Sequence, residues 1–125
     1  MYLTQYSDVL EAFESVTLDN YTDFFMIVKD ASPVEKMMVQ RLKRVVNNVE
    51  QSFLSIRDIK IEESSQQKGI FSNFLSILES KGIPVMIDDI INDKLDEFLM
   101  KRGYHSFYYA KYENKIRARY VNAVT

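Results

Sequence analysis

Apolar residues recur at helical spacing near the start of the chain and predict an amphipathic helix from Gln5 to about Val16. The apolar face of this helix holds Tyr6, Val9, Leu10 and Phe13. Five consecutive apolar residues from Phe24 to Val28 follow a turn and favour a short buried strand, although a helix end fits the same run.

Residues 32–46 carry a strong helix-start signal. Ser32 is a suitable N-cap, Pro33 suits the first turn, and Glu35 follows three residues after Ser32, as a capping box requires. Apolar residues then recur at Val34, Met37, Met38, Leu42, Val45 and Val46. The pattern predicts a helix from Pro33 to about Val46, with the alternative that residues 42–46 belong to a strand.

The second half of the chain alternates between strand-like and helix-like patterns. The predicted elements are a strand from about Gln51 to Glu62, a helix to about Lys81, a strand from Ile83 to Ile87, a helix from about Ile91 to Arg102, and a hairpin over residues 105–121. A bulge is expected near Arg57 and Asp58, where the alternation slips by one. Strands joined through a helix favour a parallel or mixed sheet, so the predicted class is α/β (α+β) with a mixed central sheet.

Composition narrows the possible chemistry. The 125 residues suit one domain with its own core. The absence of cysteine excludes disulfides, thiol nucleophiles and thiolate metal sites, and the only histidine is His105. No apolar run approaches the length of a membrane span, and the N-terminus lacks a signal-peptide pattern, so a cytoplasmic protein is expected.

The charges are unevenly distributed along the chain. Residues 1–30 hold six acidic residues against Lys29, whereas residues 101–125 hold six basic residues against Glu113. The net charge is only −2, and the sequence pI is about 5.4. The basic hairpin is therefore too weakly charged to favour nucleic acid as a partner.

Residues 59–71 combine a strand end, a polar loop and a helix start. Ile59 and Ile61 alternate with charge, six polar residues follow, and Gly69 precedes apolar residues at helical spacing. The first N–H groups of a helix have no internal partner, and a glycine lets a phosphate approach them. The stretch suits anion binding, although an ordinary strand-to-helix turn is the simpler interpretation of these residues taken alone.

Two motifs of this chain resemble those of the Gcn5-related N-acetyltransferase (GNAT) superfamily. The acyl-CoA loop of that family runs Gln/Arg-x-x-Gly-x-Gly/Ala after a strand, and residues 66–71 read Gln-Gln-Lys-Gly-Ile-Phe. A later helix of the family is matched by residues 92–104 at Asn92, Phe98, Lys101, Gly103 and Tyr104. The resemblance covers about residues 51–113, and the strand at 83–87 falls where the family has a strand that splays from its neighbour.

The resemblance implies a single GNAT-like domain over residues 1–125, with helices on both faces of the sheet and a C-terminal β-hairpin. It also implies acetyl-CoA as the cofactor, with its pyrophosphate on the loop and its pantetheine arm along the splayed strands. The cofactor-binding residues would be Ile61, Gln66, Gln67, Lys68, Gly69, Ile70, Phe71 and Asn92.

The function that follows from the resemblance is direct acetyl transfer from acetyl-CoA to a small-molecule or protein amine. The amine must then lose a proton and the thiolate must gain one. Glu62 and Glu63, at the strand end, are the predicted bases. Tyr104 is the predicted proton donor, with Tyr108 and Tyr109 as further candidates.

Two departures from the family pattern keep other functions open. Phe71 stands where a small residue normally gives the phosphates room, and Leu99 stands where many members place a proton-donating tyrosine. These residues favour an alternative, a catalytically inactive GNAT-fold binding or structural protein, for example of viral or mobile-element origin. A small α+β interaction domain without a cofactor is a third hypothesis, and the tyrosine-rich C-terminal strand could pair with a second copy in a homodimer.

Overall fold

The computed structural model describes residues 2–46, 49–66, 68–88, 93–107 and 116–119. The strands and helices in chain order are β1 (Tyr2–Leu3), α1 (Tyr6–Ser15), β2 (Phe25–Ala31), β3 (Val34–Val46), β4 (Val49–Ile61), α2 (Ile70–Ser80), β5 (Val85–Ile87), α3 (Asp93–Lys101), β6 (His105–Phe107) and β7 (Ile116–Arg119). The strands form one seven-stranded sheet in the order β1-β2-β3-β4-β5-β7-β6. A mixed sheet with three helices confirms the predicted fold class.

The predicted helix from Pro33 to Val46 is wrong, because residues 34–46 form the interior strand β3. The alternative of a strand over residues 42–46 is confirmed. β3 pairs antiparallel with β2 on one side and with β4 on the other. Both neighbours satisfy its backbone N–H and C=O groups, and this tertiary pairing overrides the local helix signal. The carboxylate of Glu35, expected to complete a capping box, instead lies 3.2 Å from the ammonium of Lys60 on β4.

The bulge expected near Arg57 and Asp58 is confirmed. Lys36 pairs with Lys60, and Met38 pairs with Arg57. Two residues of β4 but only one residue of β3 therefore lie between these pairs. Asp58 has a φ of 54°, in the left-handed region that few residues other than glycine adopt. The bulge therefore redirects β4 shortly before its end.

All three helices pack into one apolar cluster on one face of the sheet. The cluster joins Phe13 of α1, Phe74 of α2 and Leu99 of α3 to inward-facing strand residues such as Leu54 and Ile56. The rings of Phe13 and Phe74 stack with centroids 4.7 Å apart. The expectation of helices on both faces is not met by the described helices.

Topology accounts for this one-sided arrangement. β1 and β2 are parallel, β4 and β5 are parallel, and the pairing through β7 makes β6 run in the direction of β5. Each connecting helix therefore crosses between parallel strands while the chain advances in the same sense along the sheet. Since such crossovers are almost always right-handed, the three helices lie on the same face.

The predicted C-terminal hairpin is confirmed as an antiparallel pair of strands. Its inner strand is β7, which lies between β5 and β6. The predicted turn near residues 113–115 lies outside the described residues. None of the helices in the described part of the chain combines the length and the apolar character that a membrane crossing requires.

Candidate functional site

A cleft opens where β4 and β5 part. The two parallel strands pair over three residues each, from Leu54 with Val85 to Ile56 with Ile87. The last link is a hydrogen bond of 3.1 Å from the N–H of Asp88 to the carbonyl of Ile56. β4 continues for five further residues, to Ile61, without a described partner on this side. The cleft has a volume of about 860 Å³.

The walls of the cleft combine apolar and charged residues. The apolar residues are Ile59, Ile61, Phe71, Ile87 and Leu95, and the polar or charged ones are Lys36, Asp58, Lys60, Gln66, Asp88 and Asp93. The apolar set packs against the core cluster under the helices. The cleft therefore has an apolar side facing the helices.

Alternation along the strands places several charged groups on the opposite face of the sheet. Ile56 points to the helix side, so its neighbours Ser55 and Arg57 point to the other side. Ser55 pairs across the strands with Met86, and Asp88 follows Met86 by two residues on the same face. The side chain of Asp88 thus lies on the sheet face opposite the helices, and the residue forms part of the wall of the cleft.

The start of α2 lies beside the apolar side of the cleft. Gly69, the N-cap, has a φ of 76°, and a Cβ atom built there would meet nothing within 4 Å. Among the described residues, none accepts a hydrogen bond from the backbone N–H groups of Ile70, Phe71 or Ser72. Donors without a partner among the described residues, at the positive end of the helix dipole, can bind an anion.

The loop before α2 is short and partly ordered by its own hydrogen bonds. Residues Glu63–Ser65 form a 3₁₀ turn. The side-chain amide nitrogen of Gln66, Nε2, donates to the backbone carbonyl of Ile61 over 3.2 Å. This bond holds the loop against the end of β4, so Gln66 and Ile61 both line the cleft. Lys68 is exposed beside Gly69 but does not line the cleft.

Phe71 is half-buried and forms part of the cleft wall. Its ring lies 6.3 Å from that of Phe98 on α3, in a tilted arrangement typical of aromatic pairs. The ring therefore contributes both to the packing between α2 and α3 and to the wall of the cleft. The cleft stays open beside it.

The predicted bases lie at the edge of this arrangement. The N–H of Glu62 donates to the carbonyl of Pro33 over 2.9 Å, which places Glu62 at the β3–β4 end of the sheet. Glu63 is exposed in the 3₁₀ turn. Neither glutamate side chain lines the cleft, so their assignment as bases stays a prediction.

Tyr104 lies in the core, away from the cleft. The residue is only 2% exposed, and its hydroxyl donates to a carboxylate oxygen of Glu79 on α2 over 2.8 Å. The same carboxylate binds the guanidinium of Arg102, which raises the pKa of Arg102 mainly through their hydrogen bonds. This placement favours a structural role for Tyr104 and gives no support to its prediction as the proton donor.

Several predicted residues lie outside the described part of the chain. These are Gln67 and Asn92 of the predicted cofactor site and the further candidate donors Tyr108 and Tyr109. Leu99, noted as a departure from the family pattern, is fully buried in the core cluster. Its side chain therefore faces the core between the helices and the sheet and does not line the cleft.

Sequence reasoning missed a polar cluster at the point where the strands part. Asp88 accepts hydrogen bonds from the hydroxyl of Ser55 over 2.9 Å and from the guanidinium of Arg57 over 3.0 Å, both on one carboxylate oxygen. The cluster joins residues that are 31 and 33 positions apart in the chain. The available signal was an acidic residue directly after a short apolar strand, because side chains at the carboxyl end of a parallel strand often line a site.

Comparison with known proteins supports the fold. The structure resembles the N-acetyltransferase YlbP of Bacillus subtilis, solved in complex with coenzyme A, with a TM-score of 0.54 and 15% sequence identity. The match covers 68% of this chain and 59% of YlbP, so the chain spans about three-fifths of that protein. No protein-family model matches the chain. No curated protein sequence matches it either. The class that these findings define is a GNAT-like fold.

Proposed function

We propose that this protein is an acyl-CoA-dependent N-acetyltransferase that transfers an acetyl group directly to an amine. One observation carries the proposal: the pairing of β4 with β5 ends after three residues, and the resulting cleft opens beside the unpaired N–H groups at the start of α2. A GNAT-like fold shared with a coenzyme A-bound N-acetyltransferase supports it.

The residues of the cleft fit the two chemically different parts of coenzyme A. Phosphates are anions, and they suit the N–H groups of Ile70, Phe71 and Ser72, with Lys68 nearby as an additional positive charge. The pantetheine arm carries amides on an apolar chain. It suits a slot between strand edges, whose walls at Ile61 and Leu95 are apolar.

When bound, acyl-CoA supplies an activated thioester, so that a bond forms from the amine nitrogen to the carbonyl carbon while the carbon–sulfur bond breaks and its electron pair leaves on sulfur. The protein's part is to position the amine and to remove its proton. The buried Leu99 cannot donate a proton, so the leaving sulfur takes its proton from solvent or from another group in the cleft.

A second candidate function is binding without catalysis. The placement of Leu99 and Tyr104 in the core favours it, because neither predicted position for a proton donor faces the cleft. A protein of this kind would bind coenzyme A at the same loop and leave the thioester intact.

Thermal unfolding with coenzyme A and with acetyl-CoA tests the proposal. Ligand at about a hundred times its dissociation constant should stabilise the folded protein by roughly 2.7 kcal/mol. An equal shift with desulfo-coenzyme A would show that binding depends on the phosphates and the arm rather than on the thiol. The absence of any shift at millimolar ligand would contradict the proposal.

Release of free thiol from acetyl-CoA, followed with a thiol reagent, separates the two candidates. Stimulation of thiol release by added primary amines supports the enzyme. A full thermal shift without amine-dependent thiol release supports the binding protein.

A further inference from the structure

Three lysines lie side by side on the sheet face opposite the helices. Lys29 of β2 pairs directly with Lys36 of β3, and Lys36 pairs directly with Lys60 of β4. Directly paired residues share one face of a sheet. The chain neighbours Val28 and Met37 belong to the core under the helices, so the three lysines point to the other face, where all three are exposed. We call this line of like charges across three adjacent strands the lysine row.

The described part of the protein neutralises little of the charge of the lysine row. Lys60 lies 3.2 Å from Glu35, and both side chains of this pair are exposed to solvent. Lys29 and Lys36 have no acidic side chain within ion-pair distance among the described residues. Like charges that lie directly opposite each other on neighbouring strands destabilise a sheet. An anionic ligand on the lysine row would therefore relieve a repulsion within the folded protein.

An apolar row lies beside the lysine row on the same face. Tyr2 of β1 pairs with Ile27 of β2, and Ile27 pairs with Met38 of β3. Ile27 and Met38 are each two residues from a lysine of the row, so they share its face. Tyr2 is 67% exposed, and the other two side chains are partly exposed. A ligand that covers this surface needs both negative charges and apolar side chains.

The rest of the molecule favours a segment of another protein as this ligand. The net charge of the chain is −2, which repels a long nucleic acid outside the lysine row. A second copy of the chain could offer the exposed acidic residues of α1, which are Asp8, Glu11 and Glu14. However, α1 and the lysine row lie on opposite faces of the sheet, so this contact would be head-to-tail and would leave a free surface at each end for further copies. A short acidic segment of a different protein avoids both difficulties.

We infer that the lysine row binds an acidic segment of a partner protein, with the carboxylates of the segment on the ammonium groups and its apolar side chains on Tyr2, Ile27 and Met38. Side chains on one side of an extended segment recur about every 7 Å, and three neighbouring strands span about 10 Å. Two carboxylates at alternate positions therefore cover the row. The row can bind such a segment whether or not the cleft binds coenzyme A.

Fluorescence anisotropy with two labelled peptides tests the chemistry of the partner. One peptide repeats Glu-Glu-Phe, and its uncharged counterpart repeats Gln-Gln-Phe. The acidic peptide should bind the wild-type protein at least about fivefold more tightly, and its affinity should fall as added salt screens the exposed charges. No binding of the acidic peptide, or equal affinity for both peptides, would overturn the inference. Tighter binding of a labelled oligothymidylate than of the acidic peptide would overturn it as well, because the row would then suit a nucleic acid.

The Lys36→Glu variant separates binding from folding. A glutamate between Lys29 and Lys60 replaces two like-charge pairs with two opposite-charge pairs, so the melting temperature should equal or exceed that of the wild type. Affinity for the acidic peptide should nevertheless fall at least about fivefold. Lys101→Glu is the matched control, because it makes the same change in net charge at an exposed position on α3, and it should leave this affinity within about twofold.

Two further results with Lys36→Glu would contradict the assignment. Wild-type affinity for the acidic peptide in this variant would show that the peptide binds elsewhere. Self-association of the wild type that the variant abolishes, measured by analytical ultracentrifugation, would assign the surface to a second copy of the chain. Since the peptide titrations use the protein without coenzyme A, they decide the role of the lysine row even if coenzyme A produces no thermal shift and the proposed function fails.

Discussion

The guanidinium of Arg102 lies in a two-point contact with the carboxylate of Glu79. The Nη2–Oε1 distance is 2.8 Å, and the Nε–Oε2 distance is 2.9 Å. Arg102 also donates to the hydroxyls of Ser72 and Ser76, so one side chain from the end of α3 joins three residues of α2. Tyr104 donates to the same carboxylate, and together these contacts hold α3 against α2.

Removing the hydroxyl of Tyr104 should lower the stability of the protein and leave thiol release from acetyl-CoA unchanged. Tyr104→Phe loses one hydrogen bond to a charged group, which should lower the free energy of unfolding by about 1.5 kcal/mol, measured by urea denaturation. Lys101→Met, an exposed change on the same helix, should stay within about 0.5 kcal/mol of the wild type. A variant of Tyr104 with normal stability but no thiol release would instead support the proton-donor hypothesis.

The Glu79–Arg102 pair should tolerate alkaline pH well. The hydrogen bonds to Glu79 raise the pKa of Arg102, which is already far above neutrality in the unfolded chain. Because the pKa is higher in the folded state, the pair contributes its full stability at pH values below the pKa of the unfolded chain. This contribution is lost only as the pH rises through the folded pKa, so it should be constant from about pH 6 to 10. Arg102→Lys, which loses the two-point geometry, should lower the free energy of unfolding by about 2 kcal/mol throughout that range. If Arg102→Lys were as stable as the wild type at any pH in this range, the positive charge alone would account for the contribution of Arg102.

A negative charge at Gly69 should abolish coenzyme A binding. Asparagine and aspartate both tolerate a positive φ better than most residues, and the space around Gly69 is open. Gly69→Asn and Gly69→Asp should therefore fold with similar stability. The aspartate should weaken coenzyme A binding at least about tenfold relative to the asparagine, because it repels the pyrophosphate at short range. Equal binding by both variants would show that the phosphates lie elsewhere.

The Phe71 ring should limit the room in the cleft, and its removal should lower the stability of the protein. Phe71→Ala should lower the free energy of unfolding by about 2 kcal/mol, below the usual range for a fully buried ring because Phe71 is only half-buried. Coenzyme A should bind at least as tightly as to the wild type. Phe98→Ala removes the same ring pair from the α3 side and serves as the control. Loss of coenzyme A binding in Phe71→Ala alone would indicate that the ring contacts the cofactor.

A tyrosine at position 99 should not restore a proton donor. Leu99 is fully buried among the side chains of the core cluster, so the larger phenol should overpack it and lower the free energy of unfolding by about 1–3 kcal/mol. Thiol release, measured with acetyl-CoA and a primary amine, should not increase. An increase in turnover would show that the phenol reaches the cleft after a local rearrangement.

The sequence predicted the second half of the chain well because its signals are local. Hydrophobic spacing located α2 and α3, glycines located their ends, and a slip in alternation located the bulge at Asp58. Ile61, Gln66 and Phe71 were predicted from the loop motif, and all three line the cleft. These features depend on residues within one or two turns of each other.

Tertiary contacts decided what local patterns left ambiguous. The pattern of residues 34–46 favours a helix, with a strand as an alternative only for residues 42–46, and pairing with the antiparallel neighbours β2 and β4 selects the strand for the whole segment. Tyr104 was predicted as a proton donor from the sequence, but its hydroxyl donates to the carboxylate of Glu79 on α2. The hydrogen-bonded cluster of Asp88 with Ser55 and Arg57 forms only because the sheet brings these distant residues together.

The sequence by itself thus determined the order of the elements and the loop that can bind an anion, since propensity and periodicity act over a few residues. The fold decided on which face of the sheet the helices pack, where β4 leaves β5, and which residues line the cleft. Those outcomes depend on residues that are tens of positions apart, and their proximity follows from sheet pairing and burial rather than from any local pattern.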